Sequence, residues 1–217
     1  MIDRIVLASN NAGKLAELQA MFAPLQLDMV TQGSLGIPEA EEPHVTFVEN
    51  ALAKARHASQ RAGAAAIADD SGLCVDALGG APGVLSARFA AQFGTELVPT
   101  DPAERESARV VQDAANNALL LERLQGVEDR RARYVSALVA VRSADDPEPL
   151  IALGRWNGVI LSVQRGDGGF GYDPLMFIPV LNQPVAELTP EVKNQHSHRA
   201  LAAQQMLALM QEVWHLG

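Results

Sequence analysis

The sequence predicts an α/β protein with a mixed parallel and antiparallel sheet. Three observations carry that reading. A strand-like run at residues 2–8 (IDRIVLA) passes through a polar loop into an amphipathic helical pattern, the start of an α/β alternation. A second apolar run, Ala64 to Ala68, delivers two adjacent carboxylates, Asp69 and Asp70. Two further strand-like runs, 131–142 and 148–155, are joined by Ser-Ala-Asp-Asp-Pro, a hairpin signature that extends the sheet antiparallel.

The 217 residues suffice for one large domain or two small lobes and are read as one domain, 1–217. A hydrophobic content of 48% and a charged content of 20% are ordinary for a soluble globular chain. The net charge of −9 argues against a nucleic-acid or membrane-surface binder, since either needs a basic face. Only three lysines occur, Lys14, Lys54 and Lys193, so any phosphate site must place its cations locally. The single cysteine, Cys74, excludes an intrachain disulfide and a Cys-rich zinc site. With no signal-peptide pattern and no long apolar run, a cytosolic location is expected.

The first helix carries Leu15, Leu18, Met21 and Phe22 on one face. The loop before it, Ser9-Asn10-Asn11-Ala12-Gly13-Lys14, offers capping side chains, helix N–H groups and one positive charge. Taken alone it reads as a triphosphate cradle or as a plain capped helix. It is not a Walker A loop, whose glycine spacing is absent. Residues 23–45, punctuated by glycine and proline, read as connecting structure. Their cluster Glu39, Glu41 and Glu42 reads equally as a solvated loop or as a source of an oxygen ligand for a metal.

Thr46-Phe47-Val48-Glu49 is a capping box that opens a second helix, whose Ala51, Leu52, Ala55 and Ala58 suit close packing on a sheet. Gly63 ends it. The strand that follows is expected to stop in a turn at Ser71-Gly72, presenting acids at its carboxyl end, where α/β proteins bind ligands. Neighbouring side chains on extended backbone face opposite ways, so Asp69 and Asp70 are expected to have different tasks. The cluster by itself reads equally as a turn.

A short helix is expected from Val84 to Phe93, carrying Arg88, then a mobile loop at 94–101. Asp101-Pro102 marks a helix start, and the helix runs to about Leu124. After the two strands, Asn157-Gly158 suggests a break before a short strand from Val159 to Val163. The run Gly166 to Pro174 lets backbone approach a ligand closely, with Phe170 and Tyr172 offering flat faces to a base, or else turns with its aromatics in the core. A strand at 175–180 and a final amphipathic helix follow, with Ala203, Leu207, Met210 and Trp214 along one stripe. Lys193, His198 and Arg199 gather near its start as donors suited to a purine carbonyl.

Four separated motifs, in order, resemble the inosine triphosphate pyrophosphatase family (dITP/XTP pyrophosphatases). They are SNNAGK (9–14), TFVENALAKA (46–55), ADDSGLCVDALGGAPGVLSARF (68–89), and FGYDP (170–174) with KNQHSHR (193–199). The resemblance implies an elongated two-lobed fold with the active site in a cleft, usually a homodimer. It also implies Mg²⁺-dependent hydrolysis of ITP, dITP or XTP to the monophosphate and pyrophosphate. By the same resemblance, Ser9, Asn10, Asn11, Ala12, Gly13 and Lys14 hold the triphosphate and Ser71 contacts substrate. Asp70 is then the general base and, with Glu41, the metal ligand. Phe170, Gly171, Tyr172, Asp173, Lys193, His198 and Arg199 bind the base and substrate. His44 departs from the family's usual glycine, and residues 91–105 are unlike its usual loop. The neighbouring readings are a Maf-like pyrophosphatase of other modified nucleotides, a nucleotide-binding regulator without turnover, and a structural subunit.

Overall fold

The computed structural model describes residues 2–10, 12–91 and 102–216, with backbone alone at 12–13 and 102–106. Asn11, the loop expected at 94–101 and the helix cap expected at Asp101 lie outside the described residues. The chain forms two compact units. The first comprises Met1–Ser71, Val135–Arg155 and Asn194–Gly217; the second comprises Gly72–Tyr134 and Trp156–Lys193.

In the first unit, β1 (Arg4–Leu7) pairs in parallel with β2 (Asp28–Thr31) and with the start of β3 (Ala65–Val75), Ile5 lying opposite Met29 and Ala65. The side-chain alternation of β1 separates two cores. Ile5 and Leu7 join Leu18 and Phe22 of α1 (Ala12–Phe22) and Met206 and Met210 of α5 (His198–Val213). Val6 joins Ala66, Ala68 and the alanine face of α2 (Phe47–Ala62). Each large apolar side chain buried this way contributes about 1.5–3 kcal/mol before entropy is counted. Thr46 caps α2 by accepting from the Glu49 N–H at 3.2 Å, and Gly63 closes it in the left-handed conformation, both as the sequence predicts.

The second unit is built on α3 (Pro102–Arg123), β6 (Met176–Ile178), β7 (Gln183–Pro184) and the far ends of β3, β4 (Arg131–Val141) and β5 (Leu150–Ile160). Its core gathers Leu73, Val75, Leu120, Leu124, Trp156, Ile160, Leu175 and Met176. Arg130 donates to the carbonyls of Leu124, Ile160 and Leu161 at 2.7–3.0 Å, tying the end of α3 to the end of β5. Among the described residues the strand order is β2-β1-β3-β4-β5-β6-β7. With β1–β2 and β1–β3 parallel and β5–β6 and β6–β7 antiparallel, the mixed sheet is the one expected.

Four expectations need correction. β3 does not stop at Ser71-Gly72 but runs on to Val75. Gly72 serves close packing instead: a Cβ there would collide with the Ser86 hydroxyl and the Gly83 carbonyl. β5 likewise runs through Asn157-Gly158, where a Cβ would strike the Phe177 carbonyl. A short strand, β2, lies inside the stretch read as connecting structure. The C-terminal helix is two, α4 (Pro190–His196) and α5, because the Ser197 side chain caps a new start by accepting from the Ala200 N–H at 3.1 Å.

Candidate active site

β3 points its two aspartates to different partners. Asp69 is 1% exposed and wrapped in donors. Lys14 reaches it at 2.7 Å, Ser136 donates at 2.7 Å, Ser71 at 3.0 Å, and Arg199 donates through two nitrogens at 3.4 Å. Arg199 also grips Glu17 of α1. Burial pushes the Asp69 carboxyl up, but the Lys14 and Arg199 charges outweigh it and hold the group well below the usual carboxylate range. Asp69 is therefore a fixed counter-ion that orders Lys14 and Arg199.

Asp70 is different. It is 6% exposed, its Oδ1 accepts from Lys54 at 3.2 Å, and its Oδ2 is buried with no hydrogen-bond partner among the described residues. Lys54 simultaneously donates to Glu42 at 2.7 Å. Burial raises the Asp70 carboxyl; Lys54 opposes this, and the Glu42 charge adds to it. Burial alone would lower the Lys54 pKa, but the two carboxylates raise it. Three charged side chains from β3, α2 and the loop before α2 thus share one point, with one carboxylate oxygen left open.

The acidic residue brought to this point is Glu42; Glu41 is exposed. The loop carrying them is pinned at His44, whose N–H donates to buried Asn50 at 3.0 Å and whose carbonyl accepts from it at 3.2 Å. Asn10, at the end of β1, donates to Glu39 at 3.0 Å and packs where a side chain at Gly33 would stand. Ser9 turns the chain, its N–H donating to the Leu7 carbonyl at 2.8 Å. Ala12, Gly13 and Lys14, expected in the loop, instead form the first turn of α1, so the helix opens three residues earlier than the sequence predicts and Lys14 stands on the helix itself.

In the second unit the glycine-rich run converges on Asp173. Its carboxylate accepts from Tyr134 at 2.9 Å, Lys193 at 2.8 Å and the Phe170 N–H at 3.0 Å. Lys193 also lies 4.4 Å from the Phe170 ring centre, a cation–π contact. Gly171 is held at both ends of its own peptide groups: its N–H donates to Asp113 at 2.8 Å and its carbonyl accepts from Asn117 at 2.9 Å. Phe170 is 40% exposed, whereas Tyr172 is 4% exposed and donates to the Ser86 carbonyl. Of the two aromatics expected to stack on a base, only Phe170 offers a face; Tyr172 belongs to the core. Arg199, expected as a purine reader, has its guanidinium committed to Asp69 and Glu17 in the first unit. His198 is buried at the start of α5, where β5 approaches so closely that a Cβ at Gly154 would collide with the His198 carbonyl.

Sequence reasoning missed Glu17, Ser136, Tyr134, Asp113, Asn117 and Gly154. Asp113 and Asn117 are four apart on a helix, a spacing equally shown by any solvated face.

A buried carboxylate held by a lysine through one oxygen, with its other oxygen unbonded among the described residues, has the chemistry of a catalytic group on a mixed α/β sheet. A family model described as the Ham1 family matches residues 5–209. The chain is 68% identical over 211 residues to a dITP/XTP pyrophosphatase of Methylibium petroleiphilum, covering 97% of this chain and 99% of that protein. It is 63% identical over 214 residues to a dITP/XTP pyrophosphatase of Leptothrix cholodnii, covering 99% of this chain and 100% of the other. Its fold matches a HAM1 protein from Coxiella burnetii with a TM-score of 0.85 at 39% identity, over 98% of this chain and 100% of that one. A dITP/XTP pyrophosphatase from Mycobacterium abscessus matches with a TM-score of 0.70 at 40% identity, over 93% and 98% of the two chains. The chain belongs to the Ham1 family.

Proposed function

We propose that this protein hydrolyses the non-standard purine nucleoside triphosphates dITP, ITP and XTP to the monophosphate and pyrophosphate, as a cytosolic homodimer that uses Mg²⁺. The observation that carries the reading is the half-open carboxylate of Asp70, joined through Lys54 to Glu42. The names of the relatives supply the substrate class.

The donor set fits the metal. Mg²⁺ prefers one or two carboxylates completed by water and phosphate oxygens. Asp70 Oδ2, without a hydrogen-bond partner among the described residues, and the neighbouring Glu42 are such a pair, and Glu42 is the better partner than Glu41 because it shares Lys54 with Asp70. When bound there, the metal neutralises phosphate charge and polarises the phosphoryl oxygens.

Asp70 orients water and accepts its proton as the water oxygen bonds to the α-phosphorus. The bond from that phosphorus to the bridging oxygen breaks, and pyrophosphate leaves with the electron pair. Lys14 and the N–H groups opening α1 bind the phosphate chain, with Asp69 keeping Lys14 in place. In the second unit Phe170 stacks on the purine. The Lys193 ammonium beside that ring is a donor for a carbonyl at position 6, which the amino group of adenine cannot satisfy.

The test is a Mg²⁺-dependent panel of dITP, XTP, dATP, dGTP and dTTP with pyrophosphate and orthophosphate assayed separately. Pyrophosphate released mainly from dITP and XTP is expected. Orthophosphate, or equal turnover of all five, overturns the reading, and preference for a pyrimidine transfers it to a Maf-like activity.

A further inference from the structure

Asp113 and Asn117 stand one helical turn apart on α3 and hold one residue between them. Asp113 accepts from the Gly171 N–H at 2.8 Å, and Asn117 donates to the Gly171 carbonyl at 2.9 Å. Gly171 has φ +60°, a conformation that a side chain makes costly, and it separates exposed Phe170 from buried Tyr172. On the other side of the clamp, Tyr172 is tied to the Ser86 carbonyl and Asp173 to Tyr134 and Lys193. Every residue from 170 to 173 is thus fixed by a different partner, and the Phe170 ring is what the loop leaves exposed.

Asn117 makes its bond at a cost. It is 3% exposed, and its Oδ1 has no hydrogen-bond partner among the described residues. A buried acceptor left unmade lowers stability, and such groups call for a reason beyond folding. A loop already held by Tyr134, Lys193 and Ser86 needs no further anchor merely to stay closed. What the clamp adds is a fixed orientation for the two peptides that aim Phe170.

We propose that Asp113 and Asn117 are positioning residues that set purine selectivity by holding the Gly171 peptides and so the Phe170 ring. The proposal rests on the reading of Phe170 as the base-stacking side chain. Neither residue touches the substrate in this scheme; both act through Gly171.

The test compares Asp113→Leu, Asn117→Asp and Asp113→Asn with the unaltered protein, using dITP and the base-free analogue 2-deoxyribose 5-triphosphate. Amide hydrogen exchange at Gly171 reports the clamp independently of turnover. Asp113→Leu removes the acceptor, and Asn117→Asp keeps the shape but replaces the donor with an acceptor. Asp113→Leu, which removes the acceptor of the Gly171 N–H, should accelerate Gly171 exchange, and both variants should lower kcat/KM for dITP about 10–100-fold more than for the base-free analogue. Asp113→Asn keeps an acceptor oxygen and should retain dITP selectivity. Equal losses on both substrates would assign the pair a purely structural role and overturn the proposal. Faster exchange with unchanged selectivity, or exchange that Asp113→Leu does not change, also overturns it. If the unaltered protein itself does not prefer dITP to the base-free analogue, the base-stacking reading fails and the proposal falls with it; a preference shared by all variants sinks the proposal alone.

Discussion

Lys54 donates to one oxygen of Asp70 at 3.2 Å and leaves the other oxygen of the same carboxylate buried with no hydrogen-bond partner among the described residues. A carboxylate held by one edge and open at the other is oriented without being used up. Asp70→Asn keeps an acceptor for Lys54 but cannot take a proton from water. It should lose ~10²–10⁴-fold in kcat while still binding dITP, and its Tm should not fall, because a buried charge has been removed. Steady-state kinetics, calorimetric titration and thermal melts check the three parts. A kcat within about tenfold of the parent would remove Asp70 from the role of base.

Lys54 is also an internal competitor for any metal at this point, since its single ammonium already pairs with both Asp70 and Glu42. Two charges about 4 Å apart interact by about 4 kcal/mol at an effective dielectric of 20. Lys54→Met should therefore tighten Mg²⁺ binding to the nucleotide-free protein by at least about tenfold, the equivalent of about 1.4 kcal/mol. Calorimetry with the metal alone measures it; unchanged or weaker binding would place the metal elsewhere.

Asp69 predicts a pH dependence of stability. Its native carboxyl lies well below the ordinary range because Lys14 and Arg199 outweigh burial. A depressed native pKa contributes stability that is complete above the unfolded value, about 3.9, and fades as pH falls toward the native one. Asp69→Asn leaves Arg199 short of a partner in a buried setting and should cost about 3–5 kcal/mol at pH 7. Urea unfolding from pH 7 downward should show that deficit steady until about pH 4 and narrowing below it. A deficit that narrows near pH 6 would assign the effect to another group.

Phe170 and Tyr172, two residues apart, should separate cleanly. Phe170→Ala removes an exposed ring and should raise KM for dITP about 5–100-fold, the worth of one stacked base, with little change in Tm. Tyr172→Ala opens a core position and should lower stability by about 3–5 kcal/mol. Equal effects on Tm would contradict the placement of the two rings.

Gly154 has no chemistry, yet α5 rests on it: a Cβ there would collide with the His198 carbonyl and the Ala202 N–H. Gly154→Ala should cost about 1–3 kcal/mol, or roughly 2–4 °C in Tm per kcal/mol for a chain of this size. A variant as stable as the parent would mean that α5 can shift away at no cost.

The capping box at Thr46, the alanine face of α2 and the first strand, β1, were legible because each is written in local sequence. The continuity of β3 and β5 was not. Asp-Ser-Gly and Asn-Gly are turn signals, and the glycines that mislead are present for a neighbour distant in sequence, Ser86 for Gly72 and Phe177 for Gly158. The site divides in the same way. Lys14, Lys54 and Asp70 stand out because lysines are few and paired acids conspicuous. Glu17, Asp113, Asn117 and the true engagement of Arg199 depend on contacts that span tens to more than a hundred residues, which no local pattern encodes.

The chain changes from one compact unit to the other at Ser71–Gly72, Tyr134–Val135, Arg155–Trp156 and Lys193–Asn194. The first three of these points fall inside β3, β4 and β5. No single cut in the gene therefore yields either unit whole, and neither can be lifted into another protein as a cassette. The residues assigned to the phosphates and those assigned to the base must be inherited together, so a new nucleotide preference in this lineage has to arise by substitution within one indivisible reading frame rather than by exchange of modules.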